Sequence, residues 1–209
     1  MNSNKKKAYL FIKRTFDIVI SILVVPFLCV FSLVVKTSYL LTGDSFEILY
    51  SQKRVGLNGA LFNIYKFRSM THDEEEKIEE MLTDENKKQE WDKYQKLEDD
   101  PRVTKIGKML RKTSLDELPQ FINVLKGDMS LIGPRPLVKG ELEAHGGTSK
   151  YNTVKPGITG WWACNGRSNI DYQERLELEY YYIDNFSFGL DLLIIFKTIA
   201  CVIKKTGAQ

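Results

Sequence analysis

Hydrophobic residues follow several distinct rhythms along this chain, and each predicts a different element. From Ile18 to Val35 the run IVISILVVPFLCVFSLVV holds no charge; as a straight helix it reaches roughly 27 Å, the scale of a bilayer's apolar core. Residues 44–70 break into short apolar and aromatic pieces, FEILY and LFNIYKF, divided by Gly56, Asn58 and Gly59. That pattern predicts a hairpin, or two short strands with a tight turn. The stretch from Asp73 to Asp99 has helix-forming composition, with Ile78, Met81 and Leu82 and then Trp91 and Tyr94 at helical offsets. One or two amphipathic helices, covering the surface as an insertion, are expected there. After Asp100-Pro101, Val103, Ile106, Met109 and Leu110 make an apolar stripe, while Lys105, Lys108, Arg111 and Lys112 supply positive charge. Such a helix can lie at an anionic membrane surface or turn a solvated basic face outward from a core. The last run, Leu190 to Ile203, carries Asp191 and Lys197 and is followed by Lys204-Lys205, which predicts an interfacial helix rather than a second span.

Pro26 sits in the middle of the long apolar run, where it removes one helical hydrogen bond and crowds the preceding turn, so a bend is expected. Ser21 is the candidate to satisfy backbone groups exposed by that bend. Lys13 and Arg14 precede the run, and Lys36, Lys53 and Arg54 follow it. Basic flanks at both ends suit a helix that enters and returns to one face, although a mildly kinked spanning helix has the same composition. A cleaved signal peptide fits less well, because the run is long and no small-x-small site follows before Lys36.

Composition adds limits rather than chemistry. The chain of 209 residues is 43% hydrophobic and 27% charged, enough for one sizeable core, and no internal repeat divides it. A formal charge of +3 gives no reason to expect nucleic acid as a partner. Cys29, Cys164 and Cys201 lie far apart without CxxC spacing, which fits free thiols in a reducing compartment.

Candidate chemistry concentrates in TSLDELPQFINVLKGDMSLIGPRP. Ser114-Leu115-Asp116-Glu117 is first of all a capping box, with Ser114 capping a helix and Glu117 reaching back. A helix start also gathers N–H groups and positive dipole, which holds phosphate and favours the ionised form of Asp116. The two readings coexist for Ser114 and Asp116 and compete for Glu117. Adjacent carboxylates beside Arg111, with Arg135 fixed in Gly133-Pro134-Arg135-Pro136, resemble a site where a divalent metal and cations hold a diphosphate. Pro-Arg-Pro is equally a plain rigid turn. Lys155-Pro156-Gly157-Ile158-Thr159-Gly160-Trp161-Trp162, then Asn165-Gly166-Arg167, makes a glycine-punctuated loop that can hold a nucleotide or simply pack two tryptophans.

Taken together, Lys13-Arg14-x-x-Asp17, KFRSM, DPRVTKIGKMLRKTSLDELPQFINVLKGDMSLIGPRP, KPGITGWWACNGRS and LDLLIIFKT resemble the small monotopic phosphoglycosyl transferases, bacterial sugar transferases that start glycan assembly on undecaprenyl phosphate. The resemblance covers nearly the whole chain. It implies that Asp116 is a nucleophile that attacks the sugar-linked phosphate of a UDP-sugar, forms an aspartyl phosphosugar and releases UMP. Glu117 matches the partner that helps bind Mg²⁺. Lys66, Arg111, Arg135 and Arg167 match basic positions for phosphates or the nucleotide, and Asp191 matches an acidic position whose role is open. The wording around Asp116 and the insertion lean toward galactose-1-phosphate as cargo, then glucose-1-phosphate, for exopolysaccharide, capsule or another surface glycan.

The family's membrane helix re-enters at a Ser-Pro pair with both ends cytoplasmic; here Val25-Pro26 keeps the proline without the serine. The expected fold is α+β and mainly helical: a re-entrant membrane helix with its break at Pro26, a short β-hairpin, and interfacial amphipathic helices on a small cytoplasmic catalytic domain. Residues 1–40 form the basic segment and membrane helix, and residues 41–209 the catalytic domain with its insertion at about 73–100. Membrane phospholipid is an expected contact, a homodimer is compatible with the family, and the expected place is the cytoplasmic face of the bacterial membrane. The chain lacks the multi-span region of longer relatives and is expected to be catalytically self-sufficient. A glycosyltransferase that moves only the sugar would release UDP instead of UMP; a noncatalytic scaffold would not need Asp116, Glu117, Arg111 and Arg135.

Overall fold

The apolar run and its basic approach form one helix, α1 (Ser3–Leu41). Its 39 residues reach roughly 58 Å along the axis, about twice the thickness of a bilayer's hydrocarbon core. The computed structural model describes residues 3–85, 88, 100–166 and 170–204. Pro26 lies inside α1, and the helix continues on both sides of it. Its missing N–H removes the bond to the Ile22 carbonyl. Ser21 does not supply the expected support, since its hydroxyl is buried with no hydrogen-bond partner.

One stripe of α1 is buried from end to end: Tyr9, Asp17, Ser21, Leu28, Val35 and Tyr39 recur at helical spacing. The other faces are open and apolar, with Phe11 75% exposed and Leu33 69% exposed. An apolar surface of that length is compatible with membrane association. Near the N-terminal end, Arg14 donates to the carbonyls of Val124 and Leu125, satisfying groups at the end of the helix Gln120–Lys126. Asp17 accepts from the Leu131 N–H at 3.0 Å. At the other end Tyr39 donates to the Arg68 carbonyl at 2.6 Å.

The predicted hairpin is present as β1 (Leu49–Val55) and β2 (Leu61–Phe67), antiparallel, with Tyr50 opposite Lys66 and Arg54 opposite Phe62. Its turn is a 3₁₀ stretch, Leu57–Gly59, in which Asn58 adopts φ 55°, a conformation asparagine tolerates. The KFRSM segment then leads to α2 (Glu74–Met81), the described part of the predicted insertion, where Ile78 is half-buried and Met81 buried. Trp91 and Tyr94 lie outside the described residues.

Helix α3 (Lys105–Thr113) is capped by Thr104, whose hydroxyl accepts from the Gly107 N–H at 2.8 Å. Gly107 is required by proximity: a Cβ there would overlap the Ser69 backbone. Lys105, Lys108, Met109 and Lys112 face outward, while Leu110 is fully buried. The chain continues through a 3₁₀ turn, Leu115–Glu117, to α4 (Gln120–Lys126). Buried Asn123 joins α4 to β2, accepting from the Tyr65 N–H and donating to the Asn63 carbonyl. A pairing not foreseen follows: β3 (Ser130–Ile132) and β4 (Gly157–Thr159) run parallel, so the segment read as a glycine-punctuated loop contains a strand. Gly133 and Gly157 touch backbone to backbone there, leaving no room for a side chain on either.

Between those strands lies the short α5 (Glu141–Ala144); after them come α6 (Tyr172–Asn185) and α7 (Phe188–Lys204). At 17 residues α7 is short for a span, and Phe188, Leu192, Leu193 and Phe196 are exposed on it. Asp191 binds α7 to α1 and α6. Its two oxygens accept from Tyr9 at 2.7 Å, Lys13 at 2.7 Å and Tyr182 at 2.8 Å. The role left open for Asp191 is thus a structural clamp. All three cysteines are free thiols.

Candidate active site

The Asp116-Glu117 pair is presented by a change of helix type. α3 ends at Ser114, which takes the left-handed conformation at φ 56°, ψ 19°, unusual for a residue with a Cβ. The chain thereby leaves the α3 axis and enters the 3₁₀ turn that carries both carboxylates. The capping box is not formed: the Ser114 side chain makes no cap bond, and Glu117 instead pairs with Lys66 at 2.7 Å. A left-handed Ser114 terminates one helix rather than starting the next.

Hydrophobic packing fixes this turn against α1. Leu115 and Leu118, flanking the carboxylates, pack on the cluster that Leu28, Val35 and Tyr39 of α1 form with Phe67 and Leu110. Lys66 reaches the turn from β2, and Arg111 from the last turn of α3, where its Nε donates to the Ser69 hydroxyl at 2.9 Å. Of the predicted site residues, Lys66, Arg111, Asp116 and Glu117 therefore come together. The Asp116 carboxyl is pushed above the ordinary carboxylate range, first by burial and then by the adjacent Glu117 charge; Lys66 and Arg111 pull it back only in part. Desolvation thus opposes the ionised form that a helix start would favour.

Arg135 lies in a neighbouring cluster. Its backbone N–H donates to Glu179 Oε1 at 2.8 Å, and its guanidinium carbon stands 5.8 Å from the Trp162 ring centre. Glu179 is fully buried, accepts also from Tyr151, and is pushed up to about 8 by burial. Arg54 links the two clusters, since both the Arg135 and Glu117 charges act on it. Arg167 lies outside the described residues.

The Bacterial sugar transferase family matches residues 8–205, nearly the full chain. The chain belongs to this family. Undecaprenyl-phosphate galactose phosphotransferase of Salmonella typhimurium is 44% identical over 209 residues, covering 99% of this chain and 44% of the relative. UDP-galactose-lipid carrier transferase of Erwinia amylovora is 42% identical over 209 residues, covering 99% and 43%. The chain thus spans less than half the length of these two. Exopolysaccharide production protein ExoY of Sinorhizobium fredii is 39% identical over 198 residues, covering 94% of this chain and 87% of the relative.

Within this sugar transferase a cavity of about 310 Å³ is lined by Val55, Leu61, Leu137, Leu142 and Asn152 among others and includes none of the predicted site residues. The carboxylates occupy the seam against α1 instead. Among the described residues no group of three or more His, Cys, Asp or Glu is placed to hold a metal. Mg²⁺ does not need one: it commonly takes one or two carboxylates and completes its shell with substrate phosphates and water. Two adjacent carboxylates, one of them destabilised by the other's charge, fit that mode. Arg54, Glu141, Arg175 and Glu179 were not singled out as site residues from the sequence, because they stand far from Asp116 in the chain and inside no phosphate-binding pattern.

Proposed function

We propose that this sugar transferase moves a sugar-1-phosphate, galactose-1-phosphate first and glucose-1-phosphate next, from a UDP-sugar to undecaprenyl phosphate, initiating exopolysaccharide, capsule or another surface glycan. The observation that carries this reading is the carboxylate pair seated between two cations, Lys66 and Arg111, and the leucines that pack onto the membrane helix. Phosphate chemistry and a lipid acceptor need that juxtaposition. Names of relatives that mention undecaprenyl phosphate and UDP-galactose support the same substrates.

In this reading an Asp116 oxygen attacks the phosphorus that bears the sugar, and the bond from that phosphorus to the UMP oxygen breaks. UMP departs with the electron pair, leaving an aspartyl phosphosugar. An oxygen of undecaprenyl phosphate then attacks the same phosphorus and frees the Asp116 carboxylate, so the kinetics are ping-pong. Lys66 and Arg111 stabilise the ionised nucleophile and the phosphate oxygens. Glu117 would hold Mg²⁺, whose positive charge would offset the diphosphate. Asp116→Asn is expected to abolish both UMP release and the labelled phosphosugar adduct; full activity of that variant, or UDP as the product, overturns the assignment.

Both ends of α1 hold the same domain, through Lys13–Asp191 near the start and Tyr39–Arg68 near the end, which supports a re-entrant course bent at Pro26 on the cytoplasmic side of the membrane. A spanning course would place those contacts on opposite sides. In a variant without the native cysteines, Ser3→Cys and Lys53→Cys are expected to label from the same side.

A further inference from the structure

The Pro134-Arg135-Pro136 segment makes all of its backbone hydrogen bonds to distant parts of the chain. Proline has no N–H, so the segment offers a single donor, from Arg135, and three carbonyls. Gly157 of β4 donates to the Pro134 carbonyl at 2.9 Å, and Arg54 of β1 donates to the Pro136 carbonyl at 3.2 Å. Both backbone groups of Arg135 itself go to side chains. Its N–H donates to Glu179 Oε1 at 2.8 Å, and its carbonyl accepts from the Tyr151 hydroxyl at 2.9 Å. The Tyr151 hydroxyl also stands 3.3 Å from the same Glu179 oxygen, so the two side chains form one bracket around one residue.

Packing alone does not call for this bracket. Glu179 is fully buried and Tyr151 nearly so, and the second Glu179 oxygen has no partner. Burial lifts the Glu179 carboxyl to about 8 and the Tyr151 hydroxyl well above its usual value, so both are uncharged at neutral pH. An apolar side chain of similar volume would fill the same space without a buried unpaired oxygen. What the carboxyl adds is an acceptor for the one N–H of the segment. β3 ends at Ile132, and its ladder with β4 does not supply that acceptor. Within the segment Pro134 and Pro136 are buried, and Arg135 between them is half-buried. Its guanidinium carbon rests 5.8 Å from the Trp162 ring centre.

We propose that Glu179 and Tyr151 are positioning residues for the transfer reaction: they fix the Arg135 backbone at both its N–H and its carbonyl, so that its side chain leaves the segment in one direction. The proposal rests on the sugar-phosphate transferase reading above, in which Arg135 is one of the basic groups of the site. The following proline already restricts the Arg135 backbone to extended conformations, and the bracket selects one of them. An angular error at that backbone is carried along the whole side chain to the guanidinium. A misplacement of about 1 Å at a reacting group can cost about a hundred-fold in rate.

The test measures UMP release by the full chain in detergent micelles, with UDP-galactose or UDP-glucose as donor and undecaprenyl phosphate as acceptor. Glu179→Met keeps the volume and removes the acceptor; it is expected to lower kcat/KM about ten-fold or more while the protein stays folded by circular dichroism. Glu179→Gln restores the acceptor and should stay within about three-fold of wild type, and Tyr151→Phe should fall between the two. On an Arg135→Gln background, Glu179→Met should cost no more than about a further two-fold, because its effect passes through Arg135. Wild-type activity of Glu179→Met, failure of glutamine to rescue, or a loss that persists undiminished on the Arg135→Gln background overturns the proposal. If Glu179→Met fails to fold, Tyr151→Phe with and without Arg135→Gln decides by the same comparison. If wild-type protein turns over neither donor, the transferase reading falls, and amide hydrogen exchange at Arg135 decides the bracket. Faster exchange in Glu179→Met or Tyr151→Phe than in wild type sustains it; unchanged exchange overturns it.

Discussion

Replacing Glu179 by glutamine should make this protein more stable, and the gain should grow with pH. Glu179 is fully buried on α6; one oxygen accepts from the Arg135 N–H and the Tyr151 hydroxyl, and the other has no partner. Burial lifts its carboxyl from the usual 4.5 to about 8, against the pull of the Arg135 N–H and of Arg175. Between those values the folded protein keeps a proton that the unfolded chain releases, so stability is greatest below pH 4.5 and declines as pH rises. The slope is about 1.4 kcal/mol per pH unit, which gives a loss of about 3 kcal/mol at pH 7 and about 5 kcal/mol once pH passes 8. Glutamine keeps the accepting oxygen and removes the titration. The remaining buried polar atom is unpaired in both proteins and cancels at low pH. Denaturant unfolding in micelles, followed by circular dichroism at pH 5, 7 and 9, should show near-equal stability at pH 5 and a widening gap in favour of Glu179→Gln. Parallel stability profiles for the two proteins would refute the burial of an unpaired carboxyl as the source.

Two further outcomes test other parts of the structure. Asp191→Ala removes the shared acceptor of Tyr9, Lys13 and Tyr182 and leaves Lys13, with a side chain only 14% exposed, unpaired; it should cost about 3–5 kcal/mol in unfolding experiments. Its residual folded fraction should still form the Asp116 adduct, since the clamp touches no reacting atom. Because burial and then Glu117 raise the Asp116 carboxyl, the acid limb of single-turnover adduct formation should lie above the ordinary carboxylate range. Glu117→Gln should shift that limb to lower pH while slowing the metal-dependent rate; an unmoved limb would remove Glu117 as a cause.

Local features were legible in the residues themselves because their causes are local. The alternating pieces around Gly56, Asn58 and Gly59 became β1 and β2, and the apolar stripe from Val103 to Leu110 became α3. The capping box failed for a reason no local pattern contains. Whether Ser114 starts a helix or ends one is a tertiary outcome, and at φ 56° it ends α3. Likewise Pro26 costs a bond wherever it occurs, while only the fold shows that both ends of α1 are held by contacts to the rest of the chain.

Sequence alone determined the apolar run, the hairpin, the family motifs and the candidate carboxylates, since each is a property of neighbouring residues or of a contiguous pattern. Tertiary structure alone decided that Glu117 turns to Lys66 and that Asp116 is raised rather than lowered. It also brought Arg54, Arg135, Arg175, Glu141 and Glu179, separated by more than a hundred residues of chain, into one cluster. Charge, burial and hydrogen bonding act through space, and the fold sets those distances.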